Sequence, residues 1–450
     1  MHSIAFLSLA ACAIVTTVGA LDLDVKSTDS IKDATKAMVN AIIGGYNGQE
    51  AGFPAGLFGD SYYFWEAGAV WTAMIEYSHL TGDTQYDKLI AQAMNHQVGE
   101  YNAYMPANQT KNLANDDQST WGLAAMTAAE TGFKEKADDG EWIDRAKAVF
   151  DTQAQRWDDK TCDGGLRWQI FTFNNGYNYK NAISNGQFFL LAARLAKATG
   201  NDTFTEWAEK TYKWTQDVGF LTEDFAVYDG ADSEMDCESV NHIQWSLSHA
   251  VFTEGAAVMY NLTNDDSWKD AVAGFVSHSS IFQDEDSSIL FEVACETNGK
   301  CNTDQKAFKG LAARHYARAA VSAPEAAGNL SKVLEASAKA AAGACSGNGD
   351  DFGCSLQWNK DGEAEKTRDG GLSETLSALE AVQVLLFTEE GSTGNGNGNG
   401  TLPSAAQSGN AGPSPTNSGG PTEATGSASQ VANSWSLSMG IALLALFVLQ

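Results

Sequence analysis

Four times along this chain an apolar, small-residue-rich stretch with helical spacing ends in a Thr-led turn: Thr81-Gly82-Asp83, Thr131-Gly132-Phe133, Thr199-Gly200-Asn201 and Thr263-Asn264-Asp265. Gly or Asn just past a helix end supplies a left-handed cap, and the polar residues that follow can cap the next helix. Punctuation of this kind predicts stacked helical hairpins. Helical spacing or composition covers 31–45, 62–80, 84–100, 116–131, 140–156, 181–199, 203–217, 245–261, 266–279, 304–320, 327–342 and 372–387. Pro54, Pro106 and Pro324 all fall between these segments, as a helix-rich chain requires. Six hairpins predict an all-α (α/α)6 toroid over residues 21–389, with alternate helices lining its centre.

The helix before each turn holds small residues that permit close approach: Ala67-Gly68-Ala69-Val70, Gly122-Leu123-Ala124-Ala125, Leu190-Leu191-Ala192-Ala193 and Gly255-Ala256-Ala257-Val258. These are expected to form the inner ring. The helices after the turns, such as Asp87 to Met94 and Glu206 to Trp214, read as amphipathic and outer.

The chain ends carry addresses. Residues 1–20 read as a secretory signal peptide, apolar from Ile4 to Val18 and small at Val18-Gly19-Ala20. Residues 390–426 form a Gly/Ser/Thr/Asn-rich segment that cannot bury enough apolar surface to order itself, so a disordered stalk is expected. Residues 427–450 end in an apolar tail, Leu437 to Leu449, too short for a helix to cross a bilayer, which takes ~20 residues. Small residues, a polar spacer and such a tail fit a glycosylphosphatidylinositol (GPI) attachment signal, with Gly426 as the expected site. A secreted, membrane-tethered monomer on the outer cell face is therefore expected.

Six cysteines remain after the signal, an even set suited to an oxidising compartment. Short separations favour Cys295 with Cys301 and Cys345 with Cys354, leaving Cys162 with Cys237. Sequons at Asn108, Asn201, Asn261, Asn329 and Asn399 offer sites for N-glycans. The net charge of −29 opposes binding to nucleic acid and is compatible with a neutral polymer as partner. No Cys-x-x-Cys or His-Glu-x-x-His spacing points to a metal, and no cofactor is implied; His242, His249 and His315 read as packing or hydrogen-bonding residues.

Asp-Asp occurs at 116–117, 138–139, 158–159, 265–266 and 350–351, so position must distinguish the pairs. Asp116-Asp117 opens an inner helix after a long connection. Its near copy Asp265-Asp266 opens an outer helix after a tight turn. Only where the chain enters a helix can adjacent carboxylates bracket one bond, as glycoside hydrolysis by a nucleophile and a protonated acid requires. The alternative is that Asn115 caps the helix and both aspartates complement its dipole. A magnesium-binding Asp-rich site is a third reading, weakened because no further carboxylate follows one turn on.

Other inner-helix entrances offer sugar-binding residue types: Tyr62 and Trp65 in Ser61-Tyr62-Tyr63-Phe64-Trp65-Glu66, Arg167 and Trp168 in Gly164-Gly165-Leu166-Arg167-Trp168-Gln169, and Gln118 beside the Asp pair. Aromatic faces pack on sugar C–H surfaces while planar polar groups take paired hydroxyls. Asp229, in Tyr228-Asp229-Gly230, is either a sugar contact or a turn former.

Asn115-Asp116-Asp117-Gln118, Gly165-Leu166-Arg167-Trp168, Asn181-Ala182-Ile183-Ser184-Asn185-Gly186 and Tyr228-Asp229-Gly230, in that order, make residues 25–388 resemble glycoside hydrolase family 76, and most of all its fungal GPI-anchored branch of endo-α-1,6-mannosidases. The resemblance implies an (α/α)6 fold and a retaining mechanism on α-1,6-linked mannose. It implies Asp116 as nucleophile, Asp117 as acid/base and Asp229 as a sugar-subsite contact. For the branch it further implies work on mannan or the GPI glycan of wall proteins, with β-glucan as acceptor in cell-wall assembly. A catalytically idle glycan-binding wall protein is the competing expectation.

Overall fold

The structure is a computed structural model that describes residues 20–387 except 60, 329, 348 and 360–370. The expected signal peptide through residue 19, Asn329, Asn399, the stalk, Gly426 and the GPI propeptide lie outside the described residues.

Twelve α-helices occur among the described residues, one for each expected segment: α1 (Thr28–Gly44), α2 (Phe64–Thr81), α3 (Asp87–His96), α4 (Asn115–Glu130), α5 (Trp142–Gln155), α6 (Ala182–Thr199), α7 (Asp202–Asp217), α8 (Ser246–Thr263), α9 (Asp266–His278), α10 (Thr303–Ser322), α11 (Leu330–Gly343) and α12 (Leu372–Gln383). The even-numbered helices form a closed ring, each packed on its two even-numbered neighbours, with α12 returning to α2. Helices α3, α5, α7, α9 and α11 lie outside it, each against the inner helix that precedes it. The architecture is the (α/α)6 toroid. Its sixth hairpin has no turn, because α1 packs on α12 and the two ends of the domain close the ring. Leu21 N donates to Cys345 O at 2.9 Å and Lys26 pairs with Glu335 at 2.6 Å, fastening the N-terminal segment to the region of α11.

The turns obey the residues that form them. Gly82, Gly200 and Asn264 adopt φ of 76°, 66° and 54°, and their N–H groups bond back to Ser78, Ala196 and Tyr260. The connection from α4 to α5 is longer than the tight turn expected there. Gly132 still takes the expected left-handed conformation, at φ 64°, with Phe133 N donating to Ala128 O at 2.9 Å, and the Phe133 ring turns toward Trp142, whose indole N–H donates to Glu135 O at 2.7 Å.

Inner and outer helices differ as their composition predicts. Every residue of α8 from Ser246 to Tyr260 is buried, whereas α7 buries only a stripe from Phe204 through Thr215. Gly186 of α6 meets the Phe252 ring of α8, and Gly255 of α8 meets the Phe189 ring of α6. A methyl at either position would drive a ring out of place. The three disulfides join the expected partners, Cys162–Cys237, Cys295–Cys301 and Cys345–Cys354.

The C-terminal halves of the six inner helices meet in a buried ionic cluster that the sequence reading did not anticipate. Arg318 of α10 bonds Glu76 of α2 at 2.8 Å, Glu130 of α4 at 2.6 Å and Glu254 of α8 at 3.2 Å. Arg194 of α6 also takes Glu130 at 2.7 Å, and Arg314 takes Glu380 of α12 at 2.5 Å. Burial alone would raise the Glu254 carboxyl, but the His315 hydrogen bond at 2.5 Å and the Arg318 charge hold it down at about 2.

Replacing Arg318 by Leu leaves the buried Glu76 and Glu254 and the part-buried Glu130 short of their shared cation. Removing one partner from a buried pair costs about 3–5 kcal/mol, so equilibrium denaturation of Arg318→Leu should show a loss of that order. A loss below about 1 kcal/mol would mean that the cluster does not hold the ring together.

Candidate active site

At the other end of the ring a short ribbon delivers the approach to α4. Strands β1 (Tyr179–Asn181), β2 (Gly230–Asp232) and β3 (Val240–Asn241) pair antiparallel in that order, with Asn181 opposite Gly230. Isolated bridges extend the pattern: Arg167 pairs with Lys180, and Gln169 with Ala114. Asn115 N donates to Trp168 O at 2.8 Å, so the residues just before Asp116 form an edge of this ribbon. Lys180 is fully buried and donates to the carbonyls of Asp158 at 2.9 Å, Thr161 at 2.7 Å and Gly164 at 2.5 Å. These bonds lock β1 to the loop after α5.

The first turns of the inner helices then decide what faces the centre. At the third helical position of α2, α4 and α10, a side chain reaches back to the N-cap N–H: Glu66 to Tyr63 at 2.7 Å, Asp117 to Ala114 at 2.8 Å and Gln305 to Asn302 at 3.0 Å. The second position is left free of that task. Trp65, Asp116, Ile183, Leu247 and Asp304, five of the six residues there, line a cleft of about 670 Å³. The sixth, Ser373 of α12, turns aside to donate to Glu66 at 2.5 Å. Asn115 is not the N-cap of α4; Ala114 is, because Asp117 supplies the capping oxygen.

Asp116 and Asp117 both open onto the cleft but sit in unlike surroundings. Burial raises Asp116 to about 6, against hydrogen bonds that favour its charged form: Asn181 Nδ2 at 3.4 Å and the Asp117 N–H at 3.0 Å. Asn181 is held for this by capping α6, its Oδ1 accepting from Ser184 N at 3.3 Å. Burial pushes Asp117 well above the usual carboxylate range, and the charge of Asp116 adds to it. Among the described residues Asp117 accepts only the Ala114 N–H in compensation. The arrangement favours an ionised Asp116 beside a protonated Asp117.

Two further carboxylates stand at the aromatic side of the cleft. Asp229 has both oxygens engaged, Oδ1 by the Trp245 indole at 2.9 Å and Oδ2 by Tyr179 Oη at 2.7 Å and Asn241 Nδ2 at 3.0 Å. Asp304 accepts from the Trp65 indole at 2.7 Å, and burial raises its carboxyl. Phe308 lies between the two indoles, its ring 6.2 Å from Trp65 and 5.6 Å from Trp245.

Of the residues read from the sequence, Asp116, Asp117, Asp229, Trp168, Tyr62 and Trp65 come together around the cleft. Arg167 and Gln118 do not. Arg167 pairs with Asp158 at 2.8 Å, donates to Ser233 Oγ at 2.7 Å and covers the Tyr177 ring, bracing the ribbon. Gln118 is fully buried on the far side of α4, bonded to Ala103 O, Thr152 and Arg156. Sequence reasoning missed Asn181, Trp245, Asp304 and Phe308. Asn302 with Gln305 three residues on was a legible capping signal that would have put Asp304 at the cleft. His249 and His315 are buried and hydrogen-bonded to Tyr316 and Glu254, and His242 stacks on Tyr228. Among the described residues no group of three or more His, Cys, Asp or Glu side chains could hold a metal ion. The sequons Asn108, Asn201 and Asn261 are exposed.

An (α/α)6 ring whose cleft holds adjacent, unequally hydrogen-bonded carboxylates beside an aromatic wall has the makings of a glycoside hydrolase. Comparison with known proteins gives the family: the glycosyl hydrolase family 76 profile matches residues 30–395, and the chain belongs to that family. It is 41% identical over 369 residues to mannan endo-1,6-alpha-mannosidase DCW1 of Saccharomyces cerevisiae, covering 81% of this chain and 80% of the relative. To mannan endo-1,6-alpha-mannosidase DFG5 of Candida albicans it is 42% identical over 381 residues, covering 82% of each. The crystal structure of Dfg5 from Chaetomium thermophilum in complex with glucosamine matches with a TM-score of 0.76 at 38% identity, over 81% of this chain and 92% of that one. The same fold recurs at 17% identity and a TM-score of 0.61, over 79% of this chain and 99% of the other, in an α-1,6-mannanase of Salegentibacter solved with α-1,6-mannotriose. That molecule is an inactive variant in which two consecutive aspartates are replaced by asparagine.

Burial also raises Glu66 to about 7 and Glu292 to about 8. Between about pH 6.5 and 8 the folded chain therefore holds protons that these carboxyls have lost in the unfolded chain, and stability falls as pH rises. His249 and His315, lowered by burial to about 3 and about 4, are neutral in the folded chain; unfolded imidazoles are still partly protonated at about pH 6.5, so these two oppose the slope at the lower edge of the window and not at its upper edge. The melting temperature should drop across that window and drop less steeply in Glu66→Gln, which keeps the hydrogen-bonding shape. An unchanged slope would remove Glu66 from this account.

Proposed function

We propose that this chain is a retaining glycosidase or transglycosidase acting on α-1,6-linked mannose, with Asp116 as nucleophile and Asp117 as acid/base. The observation that carries the order of roles is the unequal hydrogen bonding of the pair. Asp116 receives the Asn181 amide and a backbone N–H, so it keeps the negative charge needed to attack the anomeric carbon. Asp117 receives one backbone N–H and faces the charge of Asp116, so it keeps the proton needed by the leaving oxygen. Forming the glycosyl ester on Asp116 transfers the Asp117 proton to the leaving oxygen and removes the Asp116 charge, so the Asp117 carboxylate is no longer opposed by it, stays ionised and can take the proton of the incoming hydroxyl as base. One pair thus serves both steps.

The relatives' names, mannan endo-1,6-alpha-mannosidase, support mannan or a mannose-containing glycan as the donor. In this reading the donor is the glycan of GPI-linked wall proteins and the enzyme works in cell-wall assembly. Because the intermediate is covalent, either water or a sugar hydroxyl can resolve it; a β-glucan hydroxyl would make the reaction a transfer. A signal peptide, a stalk and a GPI anchor near Gly426 would hold the ring at the outer membrane face, within reach of wall polymers.

With Asp116 ionised and Asp117 protonated in the active form, kcat/KM on α-1,6-mannan should be bell-shaped in pH, its acid limb near 6. Asp116→Asn should lower activity by roughly 10³-fold or more on every substrate. Asp117→Asn should retain turnover on an aryl α-1,6-mannobioside, whose leaving group needs no proton, while losing it on mannan. Equal losses on both substrates would reverse or refute the assigned roles. Mass spectrometry of products formed with laminari-oligosaccharides then distinguishes transfer from hydrolysis.

A further inference from the structure

Helices α4 and α10 stand diametrically opposite in the ring, and each presents an aspartate at its second helical position: Asp116 on one, Asp304 on the other. Asn302 and Gln305 cap α10 between them, with Gln305 N donating to Asn302 Oδ1 at 3.0 Å and Asn302 N to Gln305 Oε1 at 3.0 Å. Asp304 is thereby released from capping. Its Oδ1 is fixed by the Trp65 indole, and among the described residues no donor reaches its Oδ2. The contrast with Asp229 is chemical. Asp229 lines the same cleft, yet three protein donors already occupy its two oxygens. A part-exposed carboxylate oxygen that lines the cavity and takes no protein donor is an acceptor open to whatever enters there.

The surroundings define what that donor belongs to. Trp65, Phe308 and Trp245 form a row of rings beside Asp304, and both indoles are held by carboxylates, so the row cannot turn freely. A fixed aromatic floor with an acceptor at its edge suits a pyranose ring, whose C–H face lies on the rings while a hydroxyl reaches the acceptor. Resting on the reading that the cleft takes an α-mannosidic glycan, we propose that Asp304 is a specificity-determining residue: its Oδ2 accepts a hydroxyl of a mannose unit seated on the Trp65–Phe308–Trp245 floor, across the cleft from Asp116.

Binding can be read apart from turnover by titration calorimetry with α-1,6-mannotriose in an Asp116→Asn background. Adding Asp304→Asn keeps an oxygen for the Trp65 indole but puts an amide where the free acceptor stood. Affinity should fall about tenfold or more, as for a site whose polar partner is lost. Trp65→Phe removes the indole N–H and leaves both Asp304 oxygens, so it should weaken binding less than about threefold. Equal losses from the two variants would mean that Asp304 only anchors Trp65, and undiminished binding in Asp304→Asn would mean that it touches no sugar; either result overturns the proposal. If the Asp116→Asn parent itself fails to bind mannotriose, the mannan reading fails first and the assignment of Asp304 falls with it. Thermal melts that match the parent exclude misfolding as the cause of any loss.

Discussion

The first turn of a helix has N–H groups that no helical carbonyl can reach, and in this ring six such turns crowd around one cleft. Side chains have to satisfy them. Where the third residue reaches back to the cap, as Glu66, Asp117 and Gln305 do, the second residue is left pointing at the centre. The α8 turn is served from outside, with Glu292 accepting Ser246 N at 3.2 Å. Capping by the third residue therefore leaves Trp65, Asp116 and Asp304 free to face the cleft. It also gives Asp117 two tasks on two oxygens, since the oxygen that caps α4 fixes the orientation of the other.

Much of the fold was readable because four of the hairpins state their own ends. Gly82, Gly200 and Asn264 adopt the left-handed conformation that their residue types favour, and small residues lie on the helices that approach closest. The sixth hairpin was less visible, since nothing local in α1 says that its partner is α12. The site was readable to the same degree. Asp116-Asp117 could be chosen among five pairs from helix order alone, but Gln118, one residue further on, has turned away from the cleft by the helical rotation of about 100°. Arg167 looked like a sugar ligand because guanidinium suits hydroxyls; it suits Asp158 equally well, and only the tertiary structure decides between them.

The ionic cluster was illegible for a similar reason. Glu76, Glu130, Arg194, Glu254 and Arg318 are spread over five helices, and no spacing in sequence joins them. A charged residue within an apolar helix reads as a local exception, and five exceptions become one feature only when the ring closes. The position of the cluster follows from the shared direction of the inner helices. Their N-terminal ends gather at the cleft, where acceptor side chains are favoured, and their C-terminal ends gather at the opposite face, where Arg194 and Arg318 meet partial negative charge as well as carboxylates.

The two ends of the ring thus impose opposite demands, and the chemistry uses the difference. At the closed end, arginines lie within 3.2 Å of Glu76, Glu130 and Glu254, and the carboxyls of Glu130 and Glu254 are held below their usual range. At the open end no arginine among the described residues lines the cleft, and burial raises Asp116, Asp117 and Asp304 together. Hydrogen bonding, and the charge of Asp116 acting on Asp117, distinguish them there. The Asn181 amide, placed by the ribbon and by its capping of α6, tips the balance toward charge on Asp116. A carboxylate pair in a uniformly solvated groove would ionise together near pH 4 and offer no proton to a leaving oxygen. Packing the pair into the first turn of an inner helix, with no arginine among the described cleft residues, makes one carboxyl harder to ionise than the other, which is the condition the proposed acid and nucleophile roles require.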